Sequence, residues 1–131
     1  MVKLTDVIQW AEPGWLPIRY GFCPSEKAWD KWMKSIGRKG WVYPINDERS
    51  GCCSVVDTVD GNYCLVTIND KRLQGTYSPT CVLIHEAVHV KQYVVSQMGE
   101  RQVGDEFEAY AVQNIAAFLI EAYTLTRGKK P

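Results

Sequence analysis

Three stretches of the chain carry apolar residues at the three- and four-residue spacing of an α-helix. The pattern predicts helices over residues 24–35, 79–97 and 104–126. Ser78, which is followed by proline, is a suitable N-cap for the second of them, because its hydroxyl can accept a hydrogen bond from the first turn. A weaker pattern predicts a short helix over residues 5–11.

The middle of the chain is rich in β-branched residues instead. Residues 52–59 and 63–68 are predicted strands, and Asp60-Gly61-Asn62 between them is a strong hairpin signal because glycine accepts positive φ. Residues 41–43 are a further short candidate strand. This order predicts an α+β fold, with a small antiparallel sheet packed on two long C-terminal helices plus an N-terminal helix.

Length and composition narrow the class of protein. A chain of 131 residues fits one domain, which we expect to span residues 1–131. The formal net charge is zero, so overall charge does not favour nucleic acid or an anionic membrane as a partner. No apolar run approaches the roughly 18 residues of a membrane span, and the N-terminus does not resemble a signal peptide. The five cysteines are odd in number, so we expect reduced thiols and a cytoplasmic location.

The two histidines of the chain lie four residues apart, in the sequence His85-Glu86-Ala87-Val88-His89. A helical turn takes about 3.6 residues, so both imidazoles project from one face and can bind one zinc ion at roughly 2.0–2.1 Å. Glu86 lies about 100° around the helix from His85, where it can reach a water molecule on the metal and act as general base. The alternative is a pair of core histidines, but the use of both histidines at this spacing favours zinc.

A catalytic zinc ion needs a third protein ligand, and a downstream carboxylate is the natural choice because the chain has no third histidine. The candidates are Glu100, Asp105, Glu106, Glu108 and Glu121. In the last predicted helix, Glu108 shares its face with apolar residues, so we expect it to point into the core against the zinc helix. Glu106 lies on the opposite, more polar side. The sequence therefore predicts His85, His89 and Glu108 as metal ligands, the alternative for Glu108 being a core carboxylate held by an arginine or tyrosine.

Several other side chains near the motif have open roles. A hydroxyl from Tyr77, Tyr93 or Tyr110 could stabilise an oxyanion, and the sequence does not select one. Cys81 is expected to be a small buried thiol, with contact to the site as the alternative. A peptide could add as a strand along the free edge of the sheet, which either predicted strand could form. The tryptophans of the N-terminal segment could fill the core, cover the cleft or form a dimer interface; they are Trp10, Trp15, Trp29, Trp32 and Trp41.

These residues resemble a known group of enzymes. The His-Glu-x-x-His sequence, eighteen further residues and then Glu108 are similar to the pattern of gluzincins, zinc peptidases with two histidines and one glutamate as ligands. The stretch Glu106-Phe107-Glu108-Ala109-Tyr110-Ala111 resembles the Glu-x-Glu-Ala segment of short phage- and prophage-encoded zincins, including relatives of the ImmA/IrrE peptidases. The resemblance covers about residues 78–125. It implies a minimal zincin-like fold, zinc on His85, His89 and Glu108, and Glu86 as the base.

The sequence thus predicts a zinc metallopeptidase that hydrolyses peptide bonds with a zinc-bound water activated by Glu86. Its partner would be a peptide or protein substrate, in the host cytoplasm if the chain is phage-encoded. The alternative is a non-catalytic zincin-fold protein of a phage that retains zinc and binds or inhibits another protein. A self-processing or toxin-like protease with one dedicated target would use the same residues. The oligomeric state stays open.

Overall fold

The computed structural model describes residues 2–72 and 78–131. Three α-helices are present in these ranges: α1 (Glu26–Ser35), α2 (Pro79–Gln97) and α3 (Asp105–Arg127). Four strands accompany them: β1 (Gln9–Trp10), β2 (Arg19–Phe22), β3 (Gly51–Thr58) and β4 (Gly61–Ile68). Short 3-10 turns occupy Leu4–Asp6 and Asp70–Arg72. Within the described ranges, none of the helices combines the length and apolar character that crossing a membrane requires.

The strands form one sheet in the order β1-β2-β4-β3. β3 and β4 are an antiparallel hairpin, in which Thr58 pairs with Gly61, and β1 is antiparallel to β2. β2 runs parallel to β4, with Arg19 opposite Tyr63. The sheet is therefore mixed, and the prediction of an antiparallel sheet is wrong in this respect. The order also places β4 inside the sheet and β3 at one edge.

Helices cover both faces of the sheet, and β4 is buried between them. The residues from Cys64 to Ile68 are each 3% exposed or less. On one face, Leu65 belongs to an apolar cluster with Trp29 and Met33 of α1. On the other face, Cys64 belongs to a larger cluster that includes the buried residues of α2 and α3. The predicted α+β arrangement of a small sheet with two long C-terminal helices and one N-terminal helix is confirmed.

The three long helices and the hairpin lie where the sequence predicts them, because their signals are local. The Ser25 hydroxyl accepts a hydrogen bond from the Ala28 N–H at the start of α1. The Ser78 hydroxyl does the same for the Cys81 N–H at the start of α2. Gly128 ends α3 with a φ of 70°, a conformation that glycine adopts without steric cost.

Two local predictions are wrong, and in each case the backbone hydrogen-bonds to a residue that is not a neighbour in sequence. The predicted helix over residues 5–11 is replaced by a 3-10 turn and by β1, whose Trp10 pairs with Gly21. A Cβ atom on Gly21 would lie 2.7 Å from the Gln9 carbonyl oxygen, so glycine allows this close pairing. Residues 41–43 form no strand, since the Trp41 carbonyl accepts a hydrogen bond from the Trp29 indole of α1.

The C-terminal end of α3 is fastened to two loops by polar contacts. The hydroxyl of Tyr123, a residue only 1% exposed, donates a hydrogen bond of 3.0 Å to Asp70 Oδ1. Arg127 Nε forms a 2.8 Å ion pair with Asp70 Oδ2, and its Nη1 donates to the Pro24 carbonyl oxygen at 2.7 Å. These contacts join α3 to the turn after β4 and to the loop before α1.

We expect Tyr123→Phe to lower the free energy of unfolding by about 1–2 kcal/mol, because it removes a hydrogen bond to a charged acceptor and keeps the buried ring. Urea denaturation followed by circular dichroism measures the change. Tyr110→Phe is the matched control, since Tyr110 is 59% exposed and its change should stay within about 0.5 kcal/mol. Equal losses in the two variants would contradict this role of Asp70.

Candidate metal and catalytic site

His85 and His89 lie on the exposed side of α2, one turn apart. Their Nε2 atoms are 3.2 Å from each other, and the two rings are nearly perpendicular at 78°. Two nitrogen ligands of a tetrahedral zinc ion, each at roughly 2.0–2.1 Å, are about 3.3 Å apart. The histidine pair therefore fits two coordination positions of one zinc ion. Without a metal, the same distance allows one Nε2–H to donate to the other ring.

Gln92 orients the second histidine. Its amide oxygen lies 2.9 Å from His89 Nδ1. Because an amide oxygen only accepts, Nδ1 carries the proton, and the Nε2 atom of the neutral ring keeps its lone pair for a metal. Gln92 is not among the site residues predicted from the sequence. Its position three residues after His89, on the same helix face, is the signal that could have identified it.

Glu86 lies on the buried side of the same turn and is 5% exposed. Burial raises the pKa of its carboxyl group above the usual range, and the neighbouring His85 and His89 partly oppose this shift. A glutamate with a raised pKa accepts a proton more readily than an exposed one. The structure thus brings three of the predicted residues together, with two imidazoles facing solvent and one carboxylate facing inward.

An open recess of about 510 Å³ lies in front of this turn. The edge strand β3 forms its opposite wall, and Arg49, just before that strand, adds a positive charge. Its lining consists of Arg49, Gly51, Cys52, Cys53, Val55, His85, Glu86 and His89. A second recess of about 460 Å³ shares three of these residues and is otherwise lined by Ser50, Cys81 and Val82. The site is therefore a cleft between α2 and β3 rather than an enclosed cavity.

Gly51 of β3 lies in close contact with α2. A Cβ atom at this position would lie 2.8 Å from Val82 Cγ1, 3.2 Å from the Thr67 carbonyl oxygen and 3.4 Å from Glu86 Oε1. Val82 is β-branched and buried, so its methyl group cannot easily move away. The absence of a side chain at Gly51 thus lets the helix place Glu86 against the strand. This role of Gly51 is not among the predictions made from the sequence.

Glu108 does not take the inward position that helical phase predicts. Its side chain is 52% exposed and forms an ion pair with Lys91, with Nζ and Oε1 3.3 Å apart. Phase gives the direction of a side chain, but it does not say whether another element covers that direction. Glu108 lies in the first turn of α3, whereas the buried residues of this helix begin at Ile115. In the described ranges, no three histidine, cysteine, aspartate or glutamate side chains assemble as a metal-binding group.

Of the candidate oxyanion donors among the described residues, one is occupied and the other lies elsewhere. The Tyr93 hydroxyl donates a 2.7 Å hydrogen bond to Asp57 Oδ1, and burial together with this bond raises its pKa. Tyr110 lines a separate apolar recess beside Trp15. Tyr77 is outside the described residues. The prediction that Cys81 is buried is wrong: the first turn of α2 leaves it exposed, where it lines the second recess.

The tryptophans of the N-terminal segment divide between core and surface. Trp29 is buried in the cluster of α1, and Trp10 and Trp32 pack against that cluster. Trp15 is 71% exposed, and Trp41 is also exposed. As far as the described residues show, the recess at His85 has no tryptophan in its lining. Three of the five tryptophans therefore pack in or against the core, and in the described structure none of the five covers the cleft at His85.

No protein-family model, no curated protein and no solved structure matches this chain. The resemblance to gluzincins stays a prediction.

We expect Gly51→Ala to lower the free energy of unfolding by about 1–3 kcal/mol, because the new methyl group overlaps Val82. Adding Val82→Ala in the same chain removes the overlapping Cγ1 atom and should recover part of this loss. Urea denaturation of the two single variants and the double variant gives the coupling free energy. Simple additivity of the two losses would show that the close approach at Gly51 is not the constraint.

Proposed function

We propose that this protein is a zinc metallopeptidase that hydrolyses peptide bonds in the cleft between α2 and β3. His85 and His89 would hold the ion and Glu86 would act as general base. The observation that carries the proposal is the 3.2 Å separation of the two Nε2 atoms beside a buried carboxylate on the same turn. The proposed location is the cytoplasm, of the host if the chain is phage-encoded.

The chemistry follows from the positions of these groups. When bound, the zinc ion would supply a Lewis acid that acidifies water and polarises the scissile carbonyl group. Glu86 accepts the proton of the attacking water and passes it to the leaving amine, so the carboxylate is regenerated in each cycle. Burial supports this role because it raises the pKa of Glu86. Gln92 keeps the Nε2 atom of His89 unprotonated by accepting from Nδ1.

The edge strand supports binding of an extended peptide. Among the described residues, β3 pairs with β4 on one side only, so its other side offers backbone N–H and C=O groups to an added strand. The sequence left open which strand of the hairpin forms the edge, and the structure places β3 there. Because β3 also lines the recess at His85, a peptide bound along it would pass in front of Glu86. Arg49 would favour an acidic group on that peptide.

Glu108 remains the proposed third ligand. Its side chain is half exposed, and its ion pair with Lys91 is worth about 0–1 kcal/mol. Breaking this pair to move the Glu108 carboxylate to the zinc ion would therefore cost little free energy. The alternative residue on the same turn of α3 is Glu106, which is also exposed. Removing each of these two carboxylates in turn tests which one binds the zinc ion.

We expect the purified protein to bind one zinc ion per chain, measured by elemental mass spectrometry after dialysis. His85→Ala and His89→Ala should each remove most of the bound zinc. Glu108→Ala should weaken binding by at least about tenfold, since even residues that only hydrogen-bond to a metal ligand commonly contribute this much. Glu106→Ala, the matched control, should leave the affinity unchanged. Equal zinc affinity in the two glutamate variants would exclude Glu108 as a ligand.

We expect Glu86→Gln to lower the rate of peptide-bond cleavage about 10²- to 10⁴-fold, because the amide cannot accept the proton of the attacking water. The assay follows cleavage of a panel of unfolded proteins by electrophoresis and mass spectrometry, with Glu106→Gln as the surface control. Both variants should retain zinc. If Glu86→Gln retains both zinc and the wild-type cleavage rate, the peptidase proposal fails.

A second candidate is the non-catalytic protein that retains zinc and binds another protein through the same cleft. One observation favours it: among the described residues, a third ligand does not join His85 and His89. A zinc-loaded protein that captures an unfolded or extended peptide without cleaving it, with equal affinity in wild type and Glu86→Gln, would support this candidate over the enzyme.

A further inference from the structure

Two cysteines on neighbouring strands place their sulfur atoms almost in bonding distance. Cys53 of β3 and Cys64 of β4 have Sγ atoms 2.7 Å apart. They occupy diagonal positions of the hairpin, since Cys53 is opposite Val66 and Cys64 is opposite Val55. A disulfide bond is about 2.05 Å long, so the two sulfurs need to approach by only about 0.7 Å to form one. All five cysteines of the described structure are free thiols.

The two thiols differ in access. Cys53 lines the recess at His85, where a small molecule can reach it. Cys64 is fully buried between the sheet and α2, and its pKa is raised by its hydrogen bond to Cys53 and by burial. The thiolate is the reactive form of a cysteine, and burial and the raised pKa disfavour the thiolate of Cys64. The accessible Cys53 therefore reacts first, and Cys64 acts as the second thiol.

We propose that Cys53 and Cys64 are a redox-sensitive pair that is converted to an intramolecular disulfide by a small disulfide entering the recess. The Cys53 thiolate attacks one sulfur of that oxidant, breaks its S–S bond and releases one thiol. Cys64 then attacks Cys53 Sγ and its proton passes to the departing sulfur, which leaves as the second thiol. Two protein thiols are oxidised, and the small disulfide is reduced to two thiols.

Cys52 and Cys81 lack this arrangement. Cys52 lies beside Arg49 and Ser54, with its Sγ 3.4 Å from Arg49 Nη1 and 3.6 Å from Ser54 Oγ. Cys81 contacts the Ser78 hydroxyl. The inference does not depend on the proposed peptidase activity, since its readout is the state of the sulfur atoms.

The experiment uses the full chain with Cys52→Ser and Cys81→Ser, which leaves Cys23, Cys53 and Cys64. After incubation of the folded protein with oxidised glutathione, we expect two of the three thiols to be lost and Cys23 to stay free. Chymotryptic cleavage after Tyr63 separates Cys53 from Cys64 in sequence, so mass spectrometry should show their two peptides joined. A reductant should separate them.

Two further variants test the role of each thiol separately. In the same background, Cys53→Ser should lose the joined peptides and keep both remaining thiols. Cys64→Ala should stop at the mixed disulfide between Cys53 and glutathione. Circular dichroism checks that each variant is folded. If Cys53 of the folded parent protein stays free, or stops at the mixed disulfide although Cys64 is present, the proposal is wrong.

Discussion

The close packing of α2 against the edge of the sheet at Gly51 is the constraint on which the candidate site depends. Without a side chain at this position, Val82 and Glu86 can lie directly against β3. The same contact sets the width of the cleft, because it fixes one helix face relative to one strand. His85 and His89, on the outer side of that helix, then face the recess, while Glu86 is held at its inner wall. A bulkier residue at Gly51 would separate these elements.

Local signals account for what the sequence predicted well, and distant contacts for what it did not. The caps at Ser25 and Ser78, the turn at Gly61 and the helix end at Gly128 each act within a few residues. The strand β2 has only four residues, and it is defined by its parallel pairing with β4, more than forty positions away. Short strands of this kind carry little periodicity of their own, because their partner determines them.

The two glutamates of the predicted site show the same difference between local signals and distant contacts. The position of Glu86 can be predicted from its helix alone, because the same helical turn carries Glu86, His85 and His89. The position of Glu108 depends on how far α3 extends past the core, and the first turn of that helix lies beyond the buried residues. Gln92 and Gly51 were missed for opposite reasons. Gln92 is local but chemically unremarkable, and Gly51 matters only through its neighbours on another element.

The edge strand brings the structural and chemical arguments together. An open strand edge invites pairing with other chains, and natural proteins usually protect it. Here Arg49 and Asp57 place charges near the two ends of β3, while Val55 between them is exposed beside the recess. Peptide binding along this edge would serve an enzyme and a binding protein equally well. The burial of Glu86 distinguishes the enzyme from the binding protein. A carboxylate buried beside two histidines costs free energy, and peptide binding at the strand edge does not require it. Its position is explained if it accepts a proton during catalysis.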